Sequence, residues 1–154
     1  MEFNEVQVRN SQFEKSLLNQ IARVSSSLER EVENELKVSF KLTFSQFRVL
    51  NGLLALGEAS QRELAGSLEV TPAVVTRQAE ALGSRGLVTT RANPRSKREN
   101  VLALTPKGEQ AVVDASKLIA ERQTELFAGL SLKDETAFER AIEVLIKAMG
   151  LDKS

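Results

Sequence analysis

The sequence predicts a mainly α fold carrying a small β-hairpin, an α+β class, and three observations lead there. Apolar residues recur at steps of three and four in several separate segments, the spacing of helices with one buried stripe. Nearly every such segment is preceded by Ser or Thr at the position of an N-cap. One stretch breaks the pattern: Leu87 to Arg91 and Asn100 to Leu104 are rich in β-branched and apolar residues and flank a polar turn, as in a hairpin. With 154 residues and 42% hydrophobic content, the chain is expected to form a single domain with a core of ordinary size.

Taken in order, Ser11-Gln12-Phe13-Glu14 reads as a capping box, and Leu17, Ile21, Val24, Leu28 and Val32 continue a helix to about Leu36. Thr43-Phe44-Ser45-Gln46 opens a second helix, with Phe47, Leu50, Leu53 and Leu54 inward and Gly57 at its end. Ser60-Gln61-Arg62-Glu63 starts a short third helix reaching about Leu68, with Leu64, Ala65 and Leu68 inward. Glu69-Val70 turns the chain into a fourth helix, with Thr71 as N-cap and Pro72 at the first position, where no amide bond is lost. Val75, Ala79 and Leu82 form its buried stripe and Gly86 stops it. A short helix, a tight turn and a second capped helix make a helix-turn-helix. After the hairpin and its loop, Ala92 to Glu99, Thr105-Pro106 begins a long helix to about Ala128. Gly129 breaks that helix, and Ser131 caps a last one lined by Phe138, Ile142, Leu145, Ile146 and Met149.

Leu82-x-x-x-Gly86-Leu87-Val88, the turn Asn93-Pro94-Arg95-Ser96-Lys97-Arg98 and Leu104-Thr105-Pro106-Lys107-Gly108 follow one another at fixed spacing. In that order they resemble the winged helix-turn-helix of the multiple-antibiotic-resistance regulator (MarR) family, and the flanking helices extend the likeness over nearly the whole chain. The resemblance implies a homodimeric transcription regulator whose DNA affinity is often set by a small molecule. It divides the single domain into a winged helix-turn-helix lobe over residues 43–104 and a helical dimerisation frame over 1–38 and 105–154. The residues support the frame independently, because apolar stripes on the terminal helices lack local partners and a two-fold dimer buries them.

Composition narrows the function further. The chain has no cysteine and no histidine, which removes thiol redox sensing and any His/Cys zinc site. No metal, cofactor or catalytic residue is expected. No nucleophile-elbow or phosphate-loop pattern offers an enzyme reading. No run approaches the ~18 apolar residues of a membrane span, and the start Met1-Glu2-Phe3-Asn4-Glu5 is unlike a signal peptide, so the expected location is cytoplasmic. Net charge is zero, but its distribution is uneven. Residues 60–108 hold eight basic side chains against four acidic ones, while residues 1–59 hold seven against eight and 109–154 six against nine. A positive segment in a neutral molecule is the footprint of a polyanion partner, here double-stranded DNA.

The expected contacts follow. A helix fits the major groove, where base edges present distinct donors and acceptors. Arg77 is the expected base reader, with Thr71, Ala73, Val74 and Thr76 beside it; the rival reading pairs Arg77 with Glu80 or Glu69. Arg91, Arg95, Ser96, Lys97 and Arg98 form the basic hairpin and its tip. In the resembled family a tip arginine enters the minor groove and an aspartate two residues earlier orients it. That arginine corresponds to Arg98, while Ser96 and Asn93 stand where aspartates are common. Ser60, Gln61, Arg62 and Lys107 lie at helix starts, whose free amides suit phosphate, with plain capping as the alternative for Ser60. The family's effector pocket suggests Ser25, Phe40, Phe44 and Arg48, an arginine beside rings that suits an aromatic acid; core phenylalanines and a surface arginine explain the same residues equally well. The expected function is a repressor released from a pseudo-palindromic operator by such a ligand. The alternative is a winged module that binds protein rather than DNA.

Overall fold

Ser16, the residue that opens the first helix, accepts the Asn19 amide on its hydroxyl at 3.3 Å. The computed structural model describes residues 15–93 and 96–151, with 96–99 described by their backbone. Among these, the order is α1 (Leu17–Phe40), α2 (Phe44–Leu56), β1 (Glu58–Ser60), α3 (Gln61–Ser67), α4 (Pro72–Ser84), β2 (Val88–Asn93), β3 (Ser96–Leu104), α5 (Pro106–Phe127) and α6 (Leu132–Ala148). The chain forms two compact units, residues 1–44 and 45–154.

In the first unit, helix α1 begins later than its sequence pattern suggests, at Leu17; the Ser11–Glu14 box lies outside the described residues. It also runs past Leu36 to Phe40 and ends where Lys41 adopts a left-handed φ of 55°. The amides of Lys41 and Leu42 return to the carbonyls of Lys37 and Leu36, each at 3.1 Å, so the last turn closes on itself. Leu36 and Leu42 are buried. Glu33 accepts the Phe44 amide and pairs with Lys37 at 2.9 Å. A carboxylate from α1 thus takes the first amide of α2.

The second unit builds its core from Val49, Leu50 and Leu53 of α2, Leu64 and Ala65 of α3, Val75, Ala79 and Leu82 of α4, Leu87, Val88, Val101 and Leu102 of the hairpin, and Val112 and Ala115 of α5. These are mostly the stripes that helical and strand periodicity pick out. Helix α4 packs on α3 and on β2. The sheet has three antiparallel strands in the order β1-β3-β2, where the sequence predicts two. Strand β1 is only Glu58–Ser60, too short for an alternating pattern, and pairs Ala59 with Leu102. The hairpin strands run into the expected loop, to Asn93 and Ser96, because ladder hydrogen bonds need no apolar side chains on a solvated face.

One junction ties reader helix, hairpin and α5 together. Gly86 has φ +69°, a left-handed turn that favours glycine, and the Leu87 amide closes back on Leu82 at 3.0 Å. Thr105 then caps α5: its hydroxyl accepts the Gly108 amide at 3.0 Å and donates to the Gly86 carbonyl at 2.7 Å, while its own amide donates to Leu87 at 3.0 Å. Gly108 lies directly against that backbone; a Cβ there would stand 1.9 Å from the Leu87 carbonyl oxygen.

Gly108→Ala is accordingly expected to lower stability by about 1–3 kcal/mol, the range of forced overpacking, in urea denaturation. Gly129→Ala, with nothing within 4 Å of the added methyl, is the control expected to stay within about 0.5 kcal/mol. The Glu33 carboxyl is held below the usual carboxylate range by the hydrogen bond from Lys37 and then by the Phe44 amide, against a smaller opposing effect of burial. A depressed carboxyl adds stability above its unfolded pKa, and that contribution is lost as pH falls through the lower folded value. Glu33→Gln should therefore lower the urea midpoint near neutral pH, with the difference from the parent shrinking in acid; a pH-independent difference contradicts the assignment.

Candidate nucleic-acid interface

Helix α3 starts with a full capping box: Ser60 Oγ accepts the Glu63 amide at 3.2 Å and Glu63 accepts the Ser60 amide at 2.7 Å. Ser60 is only 4% exposed, so its side chain serves the helix start, and Gln61 and Arg62 are the side chains there that reach solvent. The turn into α4 passes through Glu69 at φ 54°, with the Val70 amide bonded to Ala65 at 3.0 Å.

Thr71 occupies the N-cap of α4 but makes no side-chain cap bond, unlike Ser16, Ser60, Thr105 and Ser131. Pro72 fills the first position, as its fixed φ and missing amide favour. Val75, Gln78, Ala79 and Leu82 face inward. Thr71, Ala73 and Arg77 are exposed, and Val74 and Thr76 half-buried. The Thr76 hydroxyl donates to the Pro72 carbonyl at 2.9 Å. Arg77 makes no ion pair among the described residues, so pairing with Glu80 or Glu69 does not occur in this arrangement. The face expected to read DNA is thus solvent-facing and carries one uncommitted guanidinium.

In the hairpin, the register Val88↔Leu104 to Ala92↔Asn100 is regular and then breaks, with Asn93 opposite Ser96. Residues 97–99 therefore fall in a bulge of the ladder. Lys97 and Arg98 belong to that bulge; Arg95 lies outside the described residues. Arg91, at the base, forms an ion pair with Glu58 of β1, both roughly half-exposed. Sequence reasoning missed this partner because Glu58 shares a sheet with Arg91 only through the unpredicted third strand.

Two further expected site residues have local partners. Lys107 Nζ donates to the Arg85 carbonyl at 3.0 Å, at the C-terminus of α4. Arg48 donates to the Leu68 carbonyl at 2.5 Å, at the C-terminus of α3. The cation expected to meet an aromatic carboxylate is thus engaged by backbone. Ser25 is exposed on α1, and Phe40 and Phe44 are half-buried. Among the described residues no group of His, Cys, Asp or Glu could hold a metal ion, and no helix is long and apolar enough to cross a membrane.

A helix-turn-helix whose second helix presents an arginine, followed by a basic β-hairpin, defines a winged-helix DNA-binding transcription regulator rather than an enzyme. Residues 42–100 match the MarR family model. It is 27% identical over 131 residues to the uncharacterised HTH-type transcriptional regulator YwoH of Bacillus subtilis (strain 168), covering 85% of this chain and 94% of that protein. Solved structures share the fold. The S. aureus MepR–DNA complex superposes with a TM-score of 0.76 at 18% identity, covering 87% of this chain and 98% of the other. The PcaV transcriptional regulator from Streptomyces coelicolor, solved with its natural ligand, gives 0.74 at 24% identity, covering 88% and 96%.

The Glu58–Arg91 pair makes a definite prediction. Removing the carboxylate in Glu58→Gln frees Arg91 and removes a repelling charge, so affinity for generic duplex should rise. The slope of log affinity against log salt should steepen by about 0.9 for one gained phosphate contact. An unchanged slope places Arg91 away from the DNA backbone.

Proposed function

We propose that this regulator is a homodimeric repressor whose two α4 helices read a pseudo-palindromic operator and which a small molecule releases. The observation that carries the reading is the exposed Arg77, without an ion-pair partner among the described residues, on the solvent face of α4 and within the segment that concentrates positive charge in a neutral chain. In this proposal Arg77 forks onto a guanine in the major groove, and Thr71, Ala73, Val74 and Thr76 meet thymine methyls or phosphate. Gln61 and Arg62 position the backbone, and the Lys97–Arg98 bulge follows the adjacent minor groove. That a structural relative was crystallised on DNA supports the arrangement.

The dimer rests on uncovered apolar surface. Helix α6 has no buried residue, and Phe138, Ile142, Leu145, Ile146 and Met149 are all at least 37% exposed. On α1, Leu17, Leu18, Ile21 and Val24 are likewise exposed. A second copy is the partner that covers such stripes symmetrically. Two reader helices related by a two-fold axis sit about 34–36 Å apart on one face of the duplex. A ligand that favours a different spacing then weakens binding, through a coupling of about 1–3 kcal/mol. The natural ligand held by PcaV supports a small-molecule effector. An aromatic acid remains our candidate for that effector.

Duplexes selected from a random pool should carry an inverted repeat with half-sites one helical turn apart. On the selected duplex, Arg77→Ala is expected to lose about 1–3 kcal/mol and to blur discrimination at one base pair per half-site, measured by fluorescence anisotropy. A variant that binds like the parent shows that another face of α4 does the reading.

A further inference from the structure

Both helices of the helix-turn-helix end at a carbonyl that receives a charged donor from a helix outside the motif. The Arg48 guanidinium of α2 reaches the Leu68 carbonyl, the C-cap of α3, at 2.5 Å. The Lys107 ammonium of α5 reaches the Arg85 carbonyl, the C-cap of α4, at 3.0 Å. The last carbonyls of a helix have no partner within it, and the C-terminal end carries the negative pole of the dipole, so a cation there satisfies both needs. Lys107 is otherwise oddly placed, because the first turn of its own helix is the end that disfavours a cation. Its position is explained by the neighbouring helix.

Building on the DNA-binding reading above, we propose that Lys107 and Arg48 are positioning residues. They hold α4 and α3 at their C-termini and so set how the reader helix meets the major groove, rather than contacting phosphate or ligand themselves. The two act at separate joints. Lys107 adds a charged bond where Thr105 and Gly108 already hold Gly86 and Leu87. Arg48 acts at the tight turn, beside the strained Glu69 at φ 54°. A positioning residue and a phosphate contact differ in salt dependence. Loss of a phosphate contact flattens the salt slope by about 0.9 and weakens all duplexes alike; a tilted reader loses preference for its own sequence and keeps the slope.

The test compares the parent with Lys107→Met, Lys107→Arg and Arg48→Met. Anisotropy is recorded at several salt concentrations on a duplex selected from a random pool and on its scrambled counterpart. Amide hydrogen exchange is measured on the same proteins without DNA. Lys107→Met and Arg48→Met are expected to weaken the selected duplex about threefold to tenfold and to leave the scrambled duplex and the salt slope unchanged. Lys107→Arg, which keeps charge and donor, should restore binding. Exchange should accelerate over residues 82–87 in Lys107→Met and over 64–70 in Arg48→Met. A slope reduced by about 0.9 with the preference intact makes Lys107 a phosphate contact and overturns the proposal, as does unchanged exchange. A parent that binds neither duplex overturns the DNA reading instead, and the exchange data then decide whether the two cations hold the helices.

Discussion

Everything the reader helix and the hairpin do together depends on how Arg85, Gly86 and Leu87 meet Thr105, Lys107 and Gly108. A helix leaves carbonyls unpaired at its C-terminus, and only three residues separate the end of α4 at Ser84 from the start of β2 at Val88. Here three successive carbonyls receive the Lys107 ammonium, the Thr105 hydroxyl and the Thr105 amide. Gly108 allows the approach because it has no Cβ to meet the Leu87 oxygen. The far end of the hairpin is thereby returned to its own starting point, and the direction in which it leaves the reader helix is defined by backbone bonds rather than by side-chain packing at the tip.

That constraint sorts the basic residues of the lobe. Arg91 is paired with Glu58, Lys107 is engaged at a helix end, and Arg48, just outside the positive segment, is engaged at another. Of the three, Arg91 is the least firmly committed, since an exposed ion pair is weakly held. The short-range contacts differ: Arg77 has no competing partner among the described residues, and Arg62 is exposed at a helix start. A chain of zero net charge can thus carry a DNA-binding surface without attracting nucleic acid over its whole face.

The terminal helices obey a different constraint. Their apolar stripes are regular enough to read from sequence, yet a single chain leaves them in water, with α6 held locally by contacts such as that between Phe127 and Phe138, whose rings lie 6.0 Å apart. In the proposed dimer a second copy covers this surface, and any event that repositions that copy acts on the spacing of the two readers.

What the sequence determined by itself was everything governed by local rules. Helical periodicity, Ser and Thr caps, Pro72 and Pro106 at first positions and Gly86 at a helix stop are properties of a few neighbouring residues, so the helices, the turn and the inward faces of α3 and α4 were legible. The order of the Gly86 and Thr105 segments was legible too, as a family pattern without its cause. Tertiary structure decided what depends on partners distant in the chain. A three-residue strand exists only because β3 lies beside it, Glu58 meets Arg91 only across that strand, and Arg48 and Lys107 find carbonyls 20 and 22 residues away. A charged side chain announces that it needs a counterpart, but periodicity cannot say whether that counterpart is DNA, a ligand or the end of a neighbouring helix, because the choice is made by distances that only the folded chain brings into range.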